Sequence, residues 1–468
     1  MSIEDKLYKF LAIYKRMPDW MKRVITTPFT IFPREKYLGG NYKMFFELAS
    51  KMDYFNPSLV EEFQYLKIKQ VLEESYKHVP YYRDKWNEYG IDISSIKSLS
   101  DFEEKIPFIE RAEIQEKPYD FLSAKYNKNK YLKVSSGGST GIPLELYYLK
   151  GYTRSADRAF WNYYFNQLGY KQGDRIARLR GDYIGQNKLF SFDPYRNTLI
   201  LSSFSLTEEN AALYIQSIQK HKVEYITAYP ASCMNLVGFL KDEKFSFPHL
   251  KGIMLGSENI YDFQVNQIKE FFGVENVFKG YGHGEATVVA GSCKENDNYH
   301  FHPAYGYVEF VKSEVLKDDT ISGIREIVGT SFINPLMPLI RYKSNDFGIE
   351  LNTTCSCGRT TKSLKEIIGR EQEVALGFNN ERITLTALVF GRHLDYFSHI
   401  WKMQIVNMEP GVLIVNVVPK KTFTIRHKAE IEQSLSIKSG MPFHTKVITV
   451  KDIKSTKRGK YKFLIREF

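Results

Sequence analysis

Between Thr207 and Phe278 short apolar runs alternate with helical periods, and no other stretch constrains the fold as strongly. Thr207 is placed to cap a helix through Ile218, and Val223 to Ala228 reads as a strand. A helix is predicted after Pro230, then a short apolar strand from Lys251 to Leu255. The next helix, from about Tyr261 to Phe272, stops at Gly273, and Val274 to Phe278 is a strand again. Short apolar strands separated by helices imply parallel pairing, hence an α/β core.

Around this core the pattern changes twice. Upstream, Asn56-Pro57 supplies turn chemistry, and Ser58 with Glu61 reads as a capping box opening a helix. Leu59, Phe63, Leu66, Val71 and Leu72 follow at helical spacing until Pro80 stops the run. Tyr131 to Val134 and Leu144 to Leu149 are predicted strands flanking a loop of small residues. Downstream of Gly369-Arg370 come predicted strands at Leu413 to Val418 and Thr445 to Val450, with a helix near His427 to Leu435. The 468 residues, roughly three times a typical domain, therefore divide into a large unit, 1–369, and a small α+β unit, 370–468. The first fifty residues form a basic arm.

Composition narrows the functional classes. With 43% hydrophobic residues and a net charge of +11, the chain is globular. No apolar run approaches the ~20 residues that cross a bilayer. Charges interrupt the N-terminus too often for a signal peptide. Four cysteines are too few for a disulfide framework, so a cytoplasmic location is expected. The positive excess is densest in the last eighteen residues and welcomes an anionic partner, without itself implying nucleic acid. The arm, which contains Trp20, reads as a packing element; its sharper reading is a helix making peripheral membrane contact.

The loudest motif is Ser135-Ser136-Gly137-Gly138-Ser139-Thr140-Gly141-Ile142-Pro143. Its glycines let backbone N–H groups turn toward a ligand and its hydroxyls add donors, which suits a polyphosphate. It is not a Walker A loop, because Ile142-Pro143-Leu144 stands where Gly-Lys-Ser/Thr is required. Gly137-x-Ser139-x-Gly141 formally matches the nucleophile elbow of serine hydrolases, which needs a helix where an alternating, strand-like run follows. In Tyr281-Gly282-His283-Gly284-Glu285 a tyrosine on a strand end can stack on a purine, and the carboxylate can hold Mg2+. Asp346, in Arg341-Tyr342-Lys343-Ser344-Asn345-Asp346, is placed to accept ribose hydroxyls or to be a solvated turn carboxylate. Cys293, His300, Cys355 and Cys357 make a tetrahedral donor set for structural Zn2+, with His302 as an alternative to His300; unliganded reduced thiols are the other reading. Cys233, in an apolar helix, is a core residue.

Taken in order, these blocks resemble the adenylate-forming enzymes, in particular phenylacetate–CoA ligase and its CapK-type relatives. The likeness includes His78-Val-Pro-Tyr-Tyr-Arg83, Gly173-Asp174-Arg175 with Arg178-Leu-Arg-Gly181, and Tyr229-Pro230-Ala231-Ser232. It continues through Gly256-Ser-Glu258, Met337-Pro-Leu-Ile-Arg-Tyr342, Cys355-x-Cys357-Gly-Arg359, Gly369-Arg370 and Lys457-Arg-Gly-Lys460, and covers the chain from about Leu59 onward. The resemblance implies an acyl-CoA synthetase-like fold: a large multi-subdomain unit with mixed and parallel sheets, and a mobile C-terminal lid.

It also implies a reaction. ATP and a small carboxylic acid would give an acyl-adenylate and pyrophosphate, and the acyl group would pass to CoA or to an amine or hydroxyl acceptor, in surface-polysaccharide biosynthesis. Ser136, Gly137, Ser139, Thr140 and Gly141 would wrap the phosphates, with Tyr281 on adenine beside Gly282 and His283. Glu285 would hold Mg2+, Asp346 the ribose with Arg370 nearby, and Lys460 the α-phosphate. Tyr229, Ser257, Glu258 and Gly280 would line the acid pocket. A zinc site like that of some family members, and a homodimer, are further expectations. Two departures stand out: Gly284 replaces a hydroxyl donor, and Glu373 replaces the usual hinge aspartate. The competing classes are a serine hydrolase acting through Ser139 and a basic module without catalysis.

Overall fold

A computed structural model describes residues 14, 17–30, 38–135, 144–180, 182, 184, 188–203, 205–240, 243–312, 323–351, 353–370, 374–379, 382–384, 396, 399–437, 441–453 and 463–468. The loop 136–143, the hinge segment 371–373 and Lys460 lie outside these residues. The fold is mixed α/β. Strands β1 (Tyr131–Ser135) and β2 (Glu145–Leu149) form an antiparallel hairpin, Ser135 opposite Glu145. Twelve strands then build one sheet: β3 (Ile176–Arg180), β4 (Phe190–Asp193), β5 (Thr198–Ser202), β6 (Tyr225–Ala228), β7 (Gly252–Gly256), β8 (Val277–Gly282), β9 (Val289–Ser292), β10 (Tyr299–Phe301), β11 (Gly306–Lys312), β12 (Ile324–Ser331), β13 (Tyr342–Glu350) and β14 (Ser363–Arg370).

The expected parallel core is one half of this sheet. Strands β5, β3, β6, β7 and β8 run parallel, in that spatial order. From β8 onward every pairing is antiparallel, through β9, β10, β14, β13, β12 and β11. The reason is connection length. Parallel neighbours need a crossover of about a dozen residues or more, and the chain from Gly282 to Val289 and from Ser292 to Tyr299 is too short to provide one.

Apolar residues seal both faces of the parallel half. Helices Ala211–Lys220, Pro230–Phe239 and Asp262–Phe272 cover one face, burying Tyr214, Ile215, Leu236, Val237, Ile268 and Phe272. The last of them ends at Gly273, whose φ of 64° is the left-handed cap that favours glycine. Helices Gly39–Met52 and Thr153–Asn166 cover the other face, where Tyr42, Phe45, Ala49 and Met52 join Phe160 and Tyr164. Part of the basic arm thus packs into the large unit. Its preceding helix, Asp19–Thr30, places Lys22 Nζ 3.4 Å from Ser191 Oγ on edge strand β4. Among the described residues no helix is long and apolar enough to cross a membrane.

The helix Pro57–His78 begins two residues earlier than predicted. Asn56 is its N-cap, accepting the Ser58 amide at 3.0 Å, and Pro57 fills the first turn. The buried stripe is Val60, Ile68, Leu72 and Ser75, while Leu59 and Leu66 are 54% and 56% exposed. Toward the C-terminus β15 (Val374–Leu376) pairs with β16 (Arg382–Thr384). Strands β17 (Ile400–Glu409), β18 (Val412–Pro419), β19 (His444–Thr449) and β20 (Leu464–Arg466) form a separate four-stranded sheet with helix Ile425–Ser434. Tyr261 of the large unit joins the core of this sheet, its ring 5.3 Å from that of Phe463.

Candidate functional site

The parallel strands end together, and ligand crevices of open α/β sheets lie at such carboxyl ends. Gly256 of β7 pairs with Gly280 of β8, so two residues without side chains meet at this edge. A Cβ at Gly280 would come within 2.6 Å of Trp161 Cζ3, and one at Gly282 within 3.0 Å of Cζ2. The indole therefore lies against bare backbone, and Tyr281, between the two glycines, points to the opposite face. There its hydroxyl donates to Asp346 Oδ2 at 2.8 Å. The structure thus brings together two of the predicted nucleotide-binding residues.

Asp346 is aimed by an irregularity. Glu326 of β12 faces Phe347 and Val328 faces Lys343, so β13 carries surplus residues over Ser344, Asn345 and Asp346. Asn345 takes a left-handed φ of 56° inside this bulge. On the other flank Asp346 pairs in register with Arg370 of β14, whose side chain lies outside the described residues. Ser344 Oγ receives the Asp346 amide at 3.1 Å and locks the turn. Asp346 is a buried strand residue, so the reading as a solvated turn carboxylate is withdrawn.

Glu285 is buried, with its side chain 4% exposed. Arg111 Nη1 lies 3.5 Å from one carboxylate oxygen, the Tyr342 hydroxyl also 3.5 Å from it, and His283 Nδ1 3.2 Å from the other. These separations are longer than tight charged hydrogen bonds, and the carboxylate can exchange partners. A single carboxylate suits Mg2+, which keeps several waters and takes one or two protein oxygens beside phosphates. Ala286, with φ of 56°, follows in a strained turn, and Tyr148 OH donates to the Gly284 carbonyl at 2.5 Å. His283, the candidate to replace the missing hydroxyl donor at Gly284, has its ring between Glu285 and Thr287, 3.4 Å from Oγ1. Arg111 and Tyr148 carry no motif that marks them in sequence. Arg111 opens a short helix far from Glu285 along the chain, and only the fold joins them.

The remaining pocket residues lie around the same edge. Tyr229 precedes the helix Pro230–Phe239, and Glu258 Oε2 accepts the Ala231 amide at 3.0 Å, placing a carboxylate at that helix's positive end. Ser257, with φ of 67°, is a further strained residue beside Gly256. The chain after the small-residue loop is strand β2, paired antiparallel to β1, where a nucleophile elbow requires a helix. This removes the structural basis of the hydrolase reading.

A second cluster lies between β9, β10 and the segment before β14. Ligand atoms of Cys293, His300, Cys355 and Cys357 all fall within 4.8 Å of one another, and among the described residues they are the only such group. Cys293 Sγ and Cys355 Sγ are 3.7 Å apart, and Cys357 Sγ lies 3.4 Å from His300 Nε2. A tetrahedral zinc with bonds of about 2.3 Å to sulfur separates its sulfurs by roughly 3.8 Å. The donor set therefore fits Zn2+. His300 Nδ1 sits 3.4 Å from Thr361 Oγ1, a partner that fixes the ring. Burial, ahead of the nearby Arg359 charge, pushes His300 down to about 4, so it is neutral and able to ligate. Burial opposes the Cys355 thiolate, yet the Cys357 amide with Asn296 and Asn298 brings the thiol down to about 7. His302 is excluded as the alternative donor, because its Nε2 meets the Ala49 carbonyl at 3.1 Å and its Nδ1 receives the Ala304 amide at 3.2 Å. Cys233 is fully buried and its thiol is pushed up to about 12 by burial, in keeping with a core role.

Behind the cluster, Arg359 Nε donates to Asp53 Oδ2 at 2.9 Å, and the Tyr163 hydroxyl donates to the same oxygen at 2.6 Å. Asp53 caps the end of the helix Gly39–Met52. This buried knot ties the N-terminal helix to the cysteine segment.

Comparison with known proteins agrees with this architecture. The family described as the CapK C-terminal domain matches residues 378–467. Protein CapK of Staphylococcus aureus is 24% identical over 453 residues, covering 93% of this chain and 94% of the relative. Phenylacetate-coenzyme A ligase of Thermus thermophilus is 24% identical over 322 residues, 66% of this chain and 70% of that one. Among solved structures, 2-hydroxyisobutyryl-CoA ligase in its postadenylation state superposes with a TM-score of 0.69 at 17% identity, over 89% of this chain and 91% of that one. An acyl acid amido synthetase in complex with 2,4-DB gives 0.55 at 13% identity, over 87% and 89%. The chain is a relative of CapK and the phenylacetate–CoA ligases, with the fold of the adenylate-forming ligases.

Proposed function

We propose that the protein activates a carboxylic acid with ATP, forming an acyl-adenylate and releasing pyrophosphate, and then passes the acyl group to CoA or to an amine or hydroxyl acceptor. The observation that carries this reading is the Tyr281–Asp346 hydrogen bond at the carboxyl edge of the parallel strands, with Glu285 buried three residues beyond the end of β8. Asp346 takes the ribose hydroxyls and Tyr281, held by Asp346, presents its ring to adenine. Glu285 would hold Mg2+ through its carboxylate. Bound Mg2+ would neutralise charge on the phosphates as the α-phosphorus is attacked. By the family resemblance, Ser136, Gly137, Ser139, Thr140, Gly141 and Lys460 would bind the phosphates, and Arg370 would act near the ribose. Two relatives support the reading by name, one a CoA ligase and one, among structures, captured with an acyl-adenylate. The CapK relationship favours an acceptor in surface-polysaccharide assembly. We further propose a structural Zn2+ at Cys293, His300, Cys355 and Cys357.

Incubation with ATP, Mg2+ and a panel of carboxylic acids tests the reaction. Pyrophosphate and AMP are the expected products, and ADP would overturn the assignment. Glu285→Gln should lower pyrophosphate release about 100-fold, as loss of one electrostatic stabiliser does elsewhere, with ATP binding retained in calorimetry.

A further inference from the structure

Two arginines stand on the same face of β3, and the structure treats them differently. Arg178 forms an ion pair with Asp182, Nε to Oδ2 at 2.7 Å, reinforced by Nη2 to Oδ1 at 3.0 Å. Arg180, two residues on, closes the strand at the carboxyl edge of the sheet. Neither Nε makes a well-aligned hydrogen bond, but among the described residues no carboxylate lies within ion-pair distance of Arg180. The guanidinium carbon stands 5.7 Å from the centre of the Tyr229 ring, and a Cβ at Gly256 would lie 3.8 Å from Nη2. Of the two carboxylates whose charge reaches it, Asp182 is paired with Arg178 and Glu258 accepts the Ala231 amide. Burial, first among the causes, holds the Arg180 guanidinium below the ordinary arginine value. A partly buried cation without an ion-pair partner favours an incoming anion.

The residues around Arg180 are those of the acid side of the crevice: Tyr229, the Gly256 turn, and Gly280 beneath Trp161. The carboxylate to be activated must stay at the α-phosphate, near Glu285. An anion at Arg180 therefore belongs to another part of the same substrate.

We propose that Arg180 is a specificity-determining residue that binds a second anionic group, carboxylate or phosphate, at the far end of the acid. The substrate class is then an acid with two negative charges rather than a purely apolar or aryl acid. The inference rests on the adenylation reading, which assigns the crevice to the acid. A planar guanidinium offers two parallel donors to such a group.

The test compares matched acids, adipic with hexanoic and 4-carboxyphenylacetic with phenylacetic, by pyrophosphate release and by calorimetry without ATP. The wild type should favour the dianionic member of each pair by about 10- to 100-fold in kcat/KM, the range that a hydrogen-bonded charge supplies. Arg180→Gln should erase that preference, chiefly through KM. Arg180→Lys should keep part of it, and Arg178→Gln should keep the preference intact. Equal use of both members by the wild type, or an equal loss on both in Arg180→Gln, overturns the proposal while leaving adenylation standing. If no acid releases pyrophosphate, yet the dianionic acids bind the wild type and not Arg180→Gln, the adenylation reading falls and the anion site stands. Absence of both binding and release overturns both.

Discussion

The molecule holds two buried groups of ionisable side chains, and they are built in opposite ways. Around the cysteines, donors crowd within 4.8 Å and two of them are held from outside, His300 by Thr361 and Cys355 by Asn296 and Asn298. Around Glu285, the contacts to Arg111, Tyr342 and His283 stretch from 3.2 to 3.5 Å. The first arrangement is closed, as structural metal sites are, and the second leaves its carboxylate able to change partners. Left-handed angles occur beside both groups: at Ser257, Ala286 and Asn345 near the candidate nucleotide site, and at Asp297 in the turn that follows Cys293.

Three substitutions set this contrast at risk. Cys355→Ser removes one donor from the closed cluster and should have the largest effect. Zinc content by mass spectrometry should fall from about one per chain toward zero, with a loss of several kcal/mol in stability, because metal binding there is coupled to folding. Retention of full stability without metal would make the cluster an ordinary set of thiols. Arg359→Met leaves Asp53 buried beneath the cluster with its cation gone. We expect a loss of about 3 kcal/mol in urea unfolding, and a variant as stable as the wild type would show that the knot is replaceable. Tyr281→Phe is the mildest, deleting the hydrogen bond to Asp346 at the exchangeable site. It should cost about 1 kcal/mol, seen as a several-fold rise in KM for ATP at nearly constant melting temperature. A large fall in melting temperature would mean that this site too is a structural lock.

The parallel half of the sheet was legible because its signals are local. Pro230, Thr207 and Gly273 punctuate elements whose apolar runs need no distant partner to be recognised. The antiparallel half was harder to read, since its strands carry Gly306, Gly329 and Gly348 at places where a neighbouring chain comes close, and closeness has no sequence period. The start of the helix Pro57–His78 was misplaced because Asn56 and Ser58 are both good caps, and Pro57 decides between them. In the site, Tyr281, Glu285, Asp346 and the four metal donors announce themselves by residue type and spacing. Arg111, Tyr148 and Arg180 do not. An arginine on a strand reads as a solvated charge until the sheet shows Arg178 in an ion pair with Asp182 and Arg180, among the described residues, in none.

The bulge in β13 separates the demands of the sheet from those of the candidate site. Tyr342 and Phe347, on either side of it, keep their pairings with Gly329 and Glu326, because the surplus over Ser344, Asn345 and Asp346 is even and preserves the alternation of faces. Shortening the strand by that surplus would thus keep the inward and outward order of its remaining side chains, at the expense of the buried Ser344 hydrogen bond to the Ile327 carbonyl and of the carboxylate proposed to bind ribose.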